Sequence, residues 1–98
     1  MNPFELNALL ASPTLGPEAL LVLVAKHQQV LNGVNCATAI HRLARATPAN
    51  LHERAEYSVL LTRMAALLVA PNRLQSFNAR TLTNALWGLA KLGTLTPT

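Results

Sequence analysis

The chain has no aspartate, a single cysteine and few aromatic residues, with one Trp, one Tyr and two Phe in 98 positions. Each shortage removes a class of protein. Cys36 alone cannot close an internal disulfide, so nothing points to an oxidising compartment or a disulfide-stapled fold. The longest strictly apolar runs, Ala19–Ala25 and Met64–Ala70, are seven residues each. A spanning helix needs about twenty, so membrane insertion is not expected. Glu5 stands where a signal peptide carries positive charge, and no Arg-rich transit peptide is present. A role in an organelle would require that the presequence be absent from this chain. Charged residues make up only 12% against 51% hydrophobic, which excludes a disordered, highly charged tail.

What is present is aliphatic and slightly basic. Leu and Ala dominate, and both favour helix. Glu5, Glu18, Glu53 and Glu56 face eight bases, leaving a net charge of +4 that permits a polyanionic partner without requiring one. At this length the chain makes one small domain, or a piece of a longer array.

Gly and Pro divide the sequence into helices. Asn2-Pro3-Phe4-Glu5 reads as a capping box with Pro at the first helical position. That short helix ends by Ser12-Pro13. A second opens at Gly16-Pro17-Glu18 and runs to about Val30, and a third follows Asn32 and stops before Thr47-Pro48. Asn50-Leu51-His52-Glu53 is a further capping-box pattern. It opens a fourth helix with Tyr57, Leu60, Leu61, Met64, Leu67 and Leu68 at helical spacing, closed by Pro71. A fifth starts after Asn78 and ends at Gly93, a suitable residue just past a helix C-terminus. No stretch alternates with period two for long enough to make a strand, so the fold class is all-α.

The chain also repeats. A shift of 46 residues aligns Leu31–Arg45 (LNGVNCATAIHRLAR) with Phe77–Lys91 (FNARTLTNALWGLAK) without a gap. Asn32 meets Asn78, Ala39 meets Ala85, Leu43 meets Leu89 and Ala44 meets Ala90. Each segment has an apolar residue before its Asn cap and another at the fourth helical position, Cys36 or Leu82, as in a hydrophobic staple. A helical hairpin used twice follows, with boundaries at 1–14 for an N-terminal capping helix, 15–47 and 49–93 for the two hairpins, and 94–98 for a tail. A Leu/Ala-rich bundle without true repeats is the competing reading.

FNARTLTNALWGLAKLG closely resembles the second-helix signature of octotricopeptide-like repeats, an Asn-led start with a Leu-Trp-Ala-Leu-Ala-Lys-Leu-Gly ending. ALLVLVAKHQQVLNGVNCATAIHRLAR looks like the segment that often precedes such repeats. The resemblance covers about 15–93. Gly88 stands where Ala is usual, two hairpins are expected, and no RAP domain is expected after Thr98. The resemblance implies a short α-solenoid akin to heptatricopeptide and FAST-kinase-like proteins with a RAP domain. Such proteins bind RNA in mitochondria or chloroplasts, serving RNA processing and translation, and in some lineages belong to the mitochondrial ribosome. The implied function is an RNA-binding module of organellar gene expression that grips single-stranded or ribosomal RNA. The alternative is a non-catalytic scaffold contacting other proteins of a large organellar assembly.

Candidate contacts fall on one stripe of the two aligned helices. Asn35, Thr38, Arg42 and Arg45 are matched by Thr81, Asn84, Gly88 and Lys91, at spacings that keep each set on one helical face. Amides and hydroxyls can read base edges, and Arg and Lys, with Arg80 added, can reach phosphates. His41 and Trp87 occupy matching positions and could stack on bases. An ordinary solvated face competes for the stripe, and packing between hairpins is the favoured role for Trp87.

Other chemistry finds little footing. His52 and Glu56 at i, i+4 have no third metal ligand, and Glu56 stands where an HExxH motif needs His. Cys36 has no evident base partner, and no Gly-rich phosphate loop exists. No cofactor and no enzymatic activity are expected. With two hairpins only, Leu86, Leu89 and Leu92 of the last helix would lack cover and favour association with a copy or a partner. The first helix would act as a cap through Phe4, Leu6, Leu9 and Leu10.

Overall fold

Three asparagines start the helices that organise the molecule. In the computed structural model, the residues described are 1–93, apart from the side chains of Arg73 and Leu74. The expected tail, 94–98, lies outside them. Asn2 opens α1 (Pro3–Leu10), Asn32 opens α3 (Gly33–Ala46) and Asn78 opens α6 (Ala79–Lys91). Each cap side chain accepts the amide three residues on, Glu5, Asn35 or Thr81, at 2.8–2.9 Å. Such a cap contributes about 1 kcal/mol. The remaining elements are α2 (Pro17–Lys26), α4 (Ala55–Val69) and the four-residue α5 (Arg73–Ser76). The described residues form no strand, so the all-α expectation holds.

Two boundaries move for physical reasons. The second helix stops at Lys26 rather than Val30. Its chain turns so that Leu31 enters the core, while the Gln29 and Leu31 carbonyls accept from the Arg63 guanidinium instead of a later helical amide. The capping box expected at Asn50 does not form. Asn50 takes a left-handed backbone (φ 58), whereas a helix cap needs an extended one. Residues 51–53 make a single 3₁₀ turn, and α4 begins only at Ala55. Gly93 behaves as expected, with φ +80 just past the end of α6.

The helices lie in two layers. Asn35 near the start of α3 donates to the Pro3 carbonyl, and Arg42 farther along donates to the Leu10 carbonyl, so α1 and α3 run parallel. Across the other side of α3, the Gly33 amide meets the Ser76 hydroxyl, and Ile40 meets Gly88. That makes α6 parallel too. The second layer is α2 and α4, tied at their starts by the Arg54–Glu18 ion pair (2.8 Å) and at the far end by Arg63. His52, before α4, reaches the Leu92 carbonyl at the end of α6 (2.8 Å), so the two layers run in opposite directions.

The most extensive helix contact is α3 on α6, followed by α2 on α4. The helices related by the 46-residue shift are thus neighbours. The expected antiparallel hairpin of α4 with α6 does not form as a close helix pair among the described residues, because α6 spends its close approach on α3. The core between the layers is aliphatic, with Leu6, Leu21, Leu31, Ile40, Leu43 and Leu60 fully buried around Tyr57. Burial of each such Leu or Ile stabilises by about 1.5–3 kcal/mol. Glycine at position 88 permits the close approach of α6 to α3, since a Cβ there would lie 2.5 Å from Ile40 Cγ2. As a cap, α1 inserts Leu6 and Leu10 but turns Phe4 and Leu9 outward, which corrects two of the four expected cap contacts.

Candidate nucleic-acid interface

The parallel packing of α3 on α6 brings part of the expected stripe into one place. An open cavity of about 270 Å³ lies between the two helices, lined by Thr38, His41 and Arg42 from α3 and by Thr81 and Asn84 from α6. Thr38 is half-buried, Thr81 is nearly buried in the floor, and Asn84 is exposed. Their hydroxyl and amide groups make the cleft hydrogen-bonding.

At its lip the His41 and Trp87 rings stand 5.0 Å apart between centroids, tilted by 33°. Their closeness follows from the 46-residue shift, since they occupy equivalent positions on α3 and α6. The Lys91 ammonium lies 5.2 Å from the Trp87 ring centroid, within cation–π range. Trp87 remains 46% exposed. It does pack across the helix interface, through His41, but it also offers a free aromatic face.

Two of the expected contacts are not available to a ligand. Asn35 is fully buried, accepts the Asn32 amide and donates to the Pro3 carbonyl and the Asn7 side chain. Its role is to dock α1. Arg42 directs Nη1 at the Leu10 and Ser12 carbonyls (2.8 and 2.7 Å) and Nη2 at the Leu15 carbonyl (2.6 Å). These groups end α1 and turn the chain into α2, where helical carbonyls lack intrahelical partners and carry partial negative charge. Arg42 is therefore a structural cation. Gly88, the third member to leave the stripe, is buried against Ile40.

The remaining cations sort by partner. Arg54 pairs with Glu18 and Glu56, whose carboxylates raise its pKa further, while the guanidinium and the backbone amide lower that of Glu56. Arg63 is taken by carbonyls. Arg45, Arg80 and Lys91 are exposed, with no acid within ion-pair distance among the described residues. Arg45 and Lys91 belong to the same end of the layer. Arg80 lies eleven positions before Lys91, about 16 Å along the helix at 1.5 Å per residue. The cleft is thus bracketed by positive charge.

Outside this face the chemistry is structural. His52 and Glu56 do not share a ligand position, because His52 sits on the 3₁₀ turn and binds the Leu92 carbonyl while Glu56 binds Arg54. Cys36 is buried, and loss of solvent pushes its thiol up to about 12 from 9.0, with Arg63 opposing. Such a thiol is a poor nucleophile.

Phe4, expected in the cap, is instead 88% exposed. It lines a second cavity of about 400 Å³ with Asn7, Ala8 and Val34, and Val34 also lines the first. The two cavities thus meet at Val34 on α3. Spacing held the signal, since Phe4 lies two residues before Leu6 and so on the opposite side of α1. Compared with known proteins, the chain matches no family model, no curated sequence and no solved structure. Among the described residues, no helix is long and apolar enough to cross a membrane.

Proposed function

We propose that this chain is an RNA-binding helical-repeat module, a short α-solenoid of two repeats behind an N-terminal helix, serving organellar gene expression as its octotricopeptide-like segments imply. The observation that carries the reading is the half-exposed His41–Trp87 pair with Lys91 beside it, at the lip of a hydrogen-bonding cleft. A base stacked on Trp87 would contribute about 1–3 kcal/mol. Thr38 and Asn84 would meet base edges, and Arg45, Lys91 and Arg80 would meet phosphates at the two ends of the cleft.

Trp87 is the sole tryptophan, so its emission reports the site directly. Titration with a single-stranded RNA oligonucleotide should quench it. Trp87→Ala should weaken binding by about tenfold, within the range for stacking. Arg45→Ala with Lys91→Ala should reduce the salt slope by about 0.7 for each cation removed from a phosphate. No quenching and no binding at low salt would overturn the reading. The scaffold alternative would then lead, favoured by the apolar Phe4 side chain standing 88% in solvent.

A further inference from the structure

We propose that copies of this chain associate head to tail, with α1 of one copy docking on the outer flank of α6 of another. The two interfaces inside the parallel layer follow one rule. Counted from its Asn cap, each helix meets the next through positions 1 and 8. In α1 these are Pro3 and Leu10, whose carbonyls accept from Asn35 and Arg42, positions 3 and 10 of α3. In α3 they are Gly33, bonded to Ser76 beside the start of α6, and Ile40, packed on Gly88 at position 10 of α6.

The same numbering finds the rule unused at both ends of the layer. On α6 the outgoing face is Ala79, Thr83, Leu86 and Ala90, all exposed, with Leu86 at 45%. Their counterparts on α3, shifted by 46, are Gly33, Ala37, Ile40 and Ala44, and all four are buried. On α1 the incoming face is Glu5, Ala8 and Leu9, all exposed, and the count to position 10 falls on the half-buried Ser12, in the turn past the helix end at Leu10.

These two open faces suit each other. Position 8 meets position 10 in both observed interfaces, so Leu86 would approach the last turn of α1 at the exposed Leu9, with Ser12 in the turn just beyond. Position 3 of the incoming helix lies beside the start of the outgoing one, as Asn35 lies beside Pro3. Glu5 would therefore approach Arg80, an exposed acid without an ion pair facing an exposed base without one, among the described residues. Because the two faces differ, the contact does not close after two copies, and mass should grow beyond a dimer.

Sedimentation velocity over a concentration series tests this with no RNA present, so its outcome is separate from that of the RNA reading. The full chain should form species larger than a dimer at high micromolar concentration. Leu86→Glu should return it to monomer. Glu5→Arg and Arg80→Glu should each weaken association by at least tenfold, and the double variant, which restores opposite charges, should recover most of it. Circular dichroism confirms that each surface variant is folded. A monomer at every concentration, a distribution that stops at dimer, or a double variant no better than the singles would overturn the proposal.

Discussion

α3 and α6 are built on one pattern, yet among the described residues one is enclosed on both flanks and the other on one. The enclosed α3 buries eight residues, and the open α6 buries four. At matching positions the consequences are chemical. Asn35 and Arg42 are bound up in docking α1, while Gly88 serves the contact with α3 itself and Thr81 lines the cleft between the two helices. Equivalence under the 46-residue shift thus does not assign a role by itself. A polar residue on the stripe becomes structural where a neighbouring helix presents carbonyls to it, and stays available where none does.

The sharpest way to break the comparison is to remove what α3 uses and α6 lacks. Arg42→Ala should cost about 3 kcal/mol in urea unfolding, because three carbonyls lose a charged donor, and Lys should not restore it. Arg45→Ala, three residues on and exposed, should leave stability within about 0.5 kcal/mol. Equal losses would mean that Arg42 does not hold α1. Next, Asn35→Ala should cost about 2 kcal/mol by leaving buried partners unmatched, whereas Thr81→Ala at the equivalent position should cost under about 1 kcal/mol. Gly88→Ala should cost about 1–2 kcal/mol by crowding Ile40 Cγ2, and Ile40→Leu, which has no Cγ2 methyl, should relieve part of that loss in the double variant.

The smallest effect concerns pH. The Cys36 thiol is raised in the folded chain, so the native state holds its proton more tightly than the unfolded state does. The stability it contributes is complete below about pH 9 and declines as pH rises toward about 12. Cys36→Ala should flatten that alkaline decline in a melting series, and the native thiol should resist alkylation at about pH 8, where a free thiol reacts. At the equivalent Leu82 there is nothing to titrate. A Cys36 that reacts as fast as a free thiol would contradict its burial.

Much of this architecture is legible from local chemistry. The three Asn caps, the Pro and Gly boundaries and the 46-residue shift depend on neighbours in sequence, and the structure places α3 on α6 as the shift implies. Asn50 departs from its capping signal because its left-handed backbone is set by the turn that returns the chain to α4, not by the Glu three residues on. The roles of Asn35 and Arg42 are hidden for another reason. Their partners, Pro3, Asn7, Leu10, Ser12 and Leu15, lie 27–32 residues earlier, and helical spacing carries no information about such distant carbonyls. The pairing of His41 with Trp87, by contrast, is written in the alignment, while the exposure of Trp87 is not.

The one-sided hold on α6 also sets how its backbone opens. α3 packs on α1, α2, α4 and α6, so its amides can meet solvent only when most of the molecule comes apart. α6 leans chiefly on α3, through a contact that joins residues about 46 apart and must close a long loop. Amide hydrogens of α6 should therefore exchange by detachment of that helix as a unit, faster than those of α3. Each such excursion would separate Trp87 from His41 and dismantle the cleft while the rest of the fold stays intact.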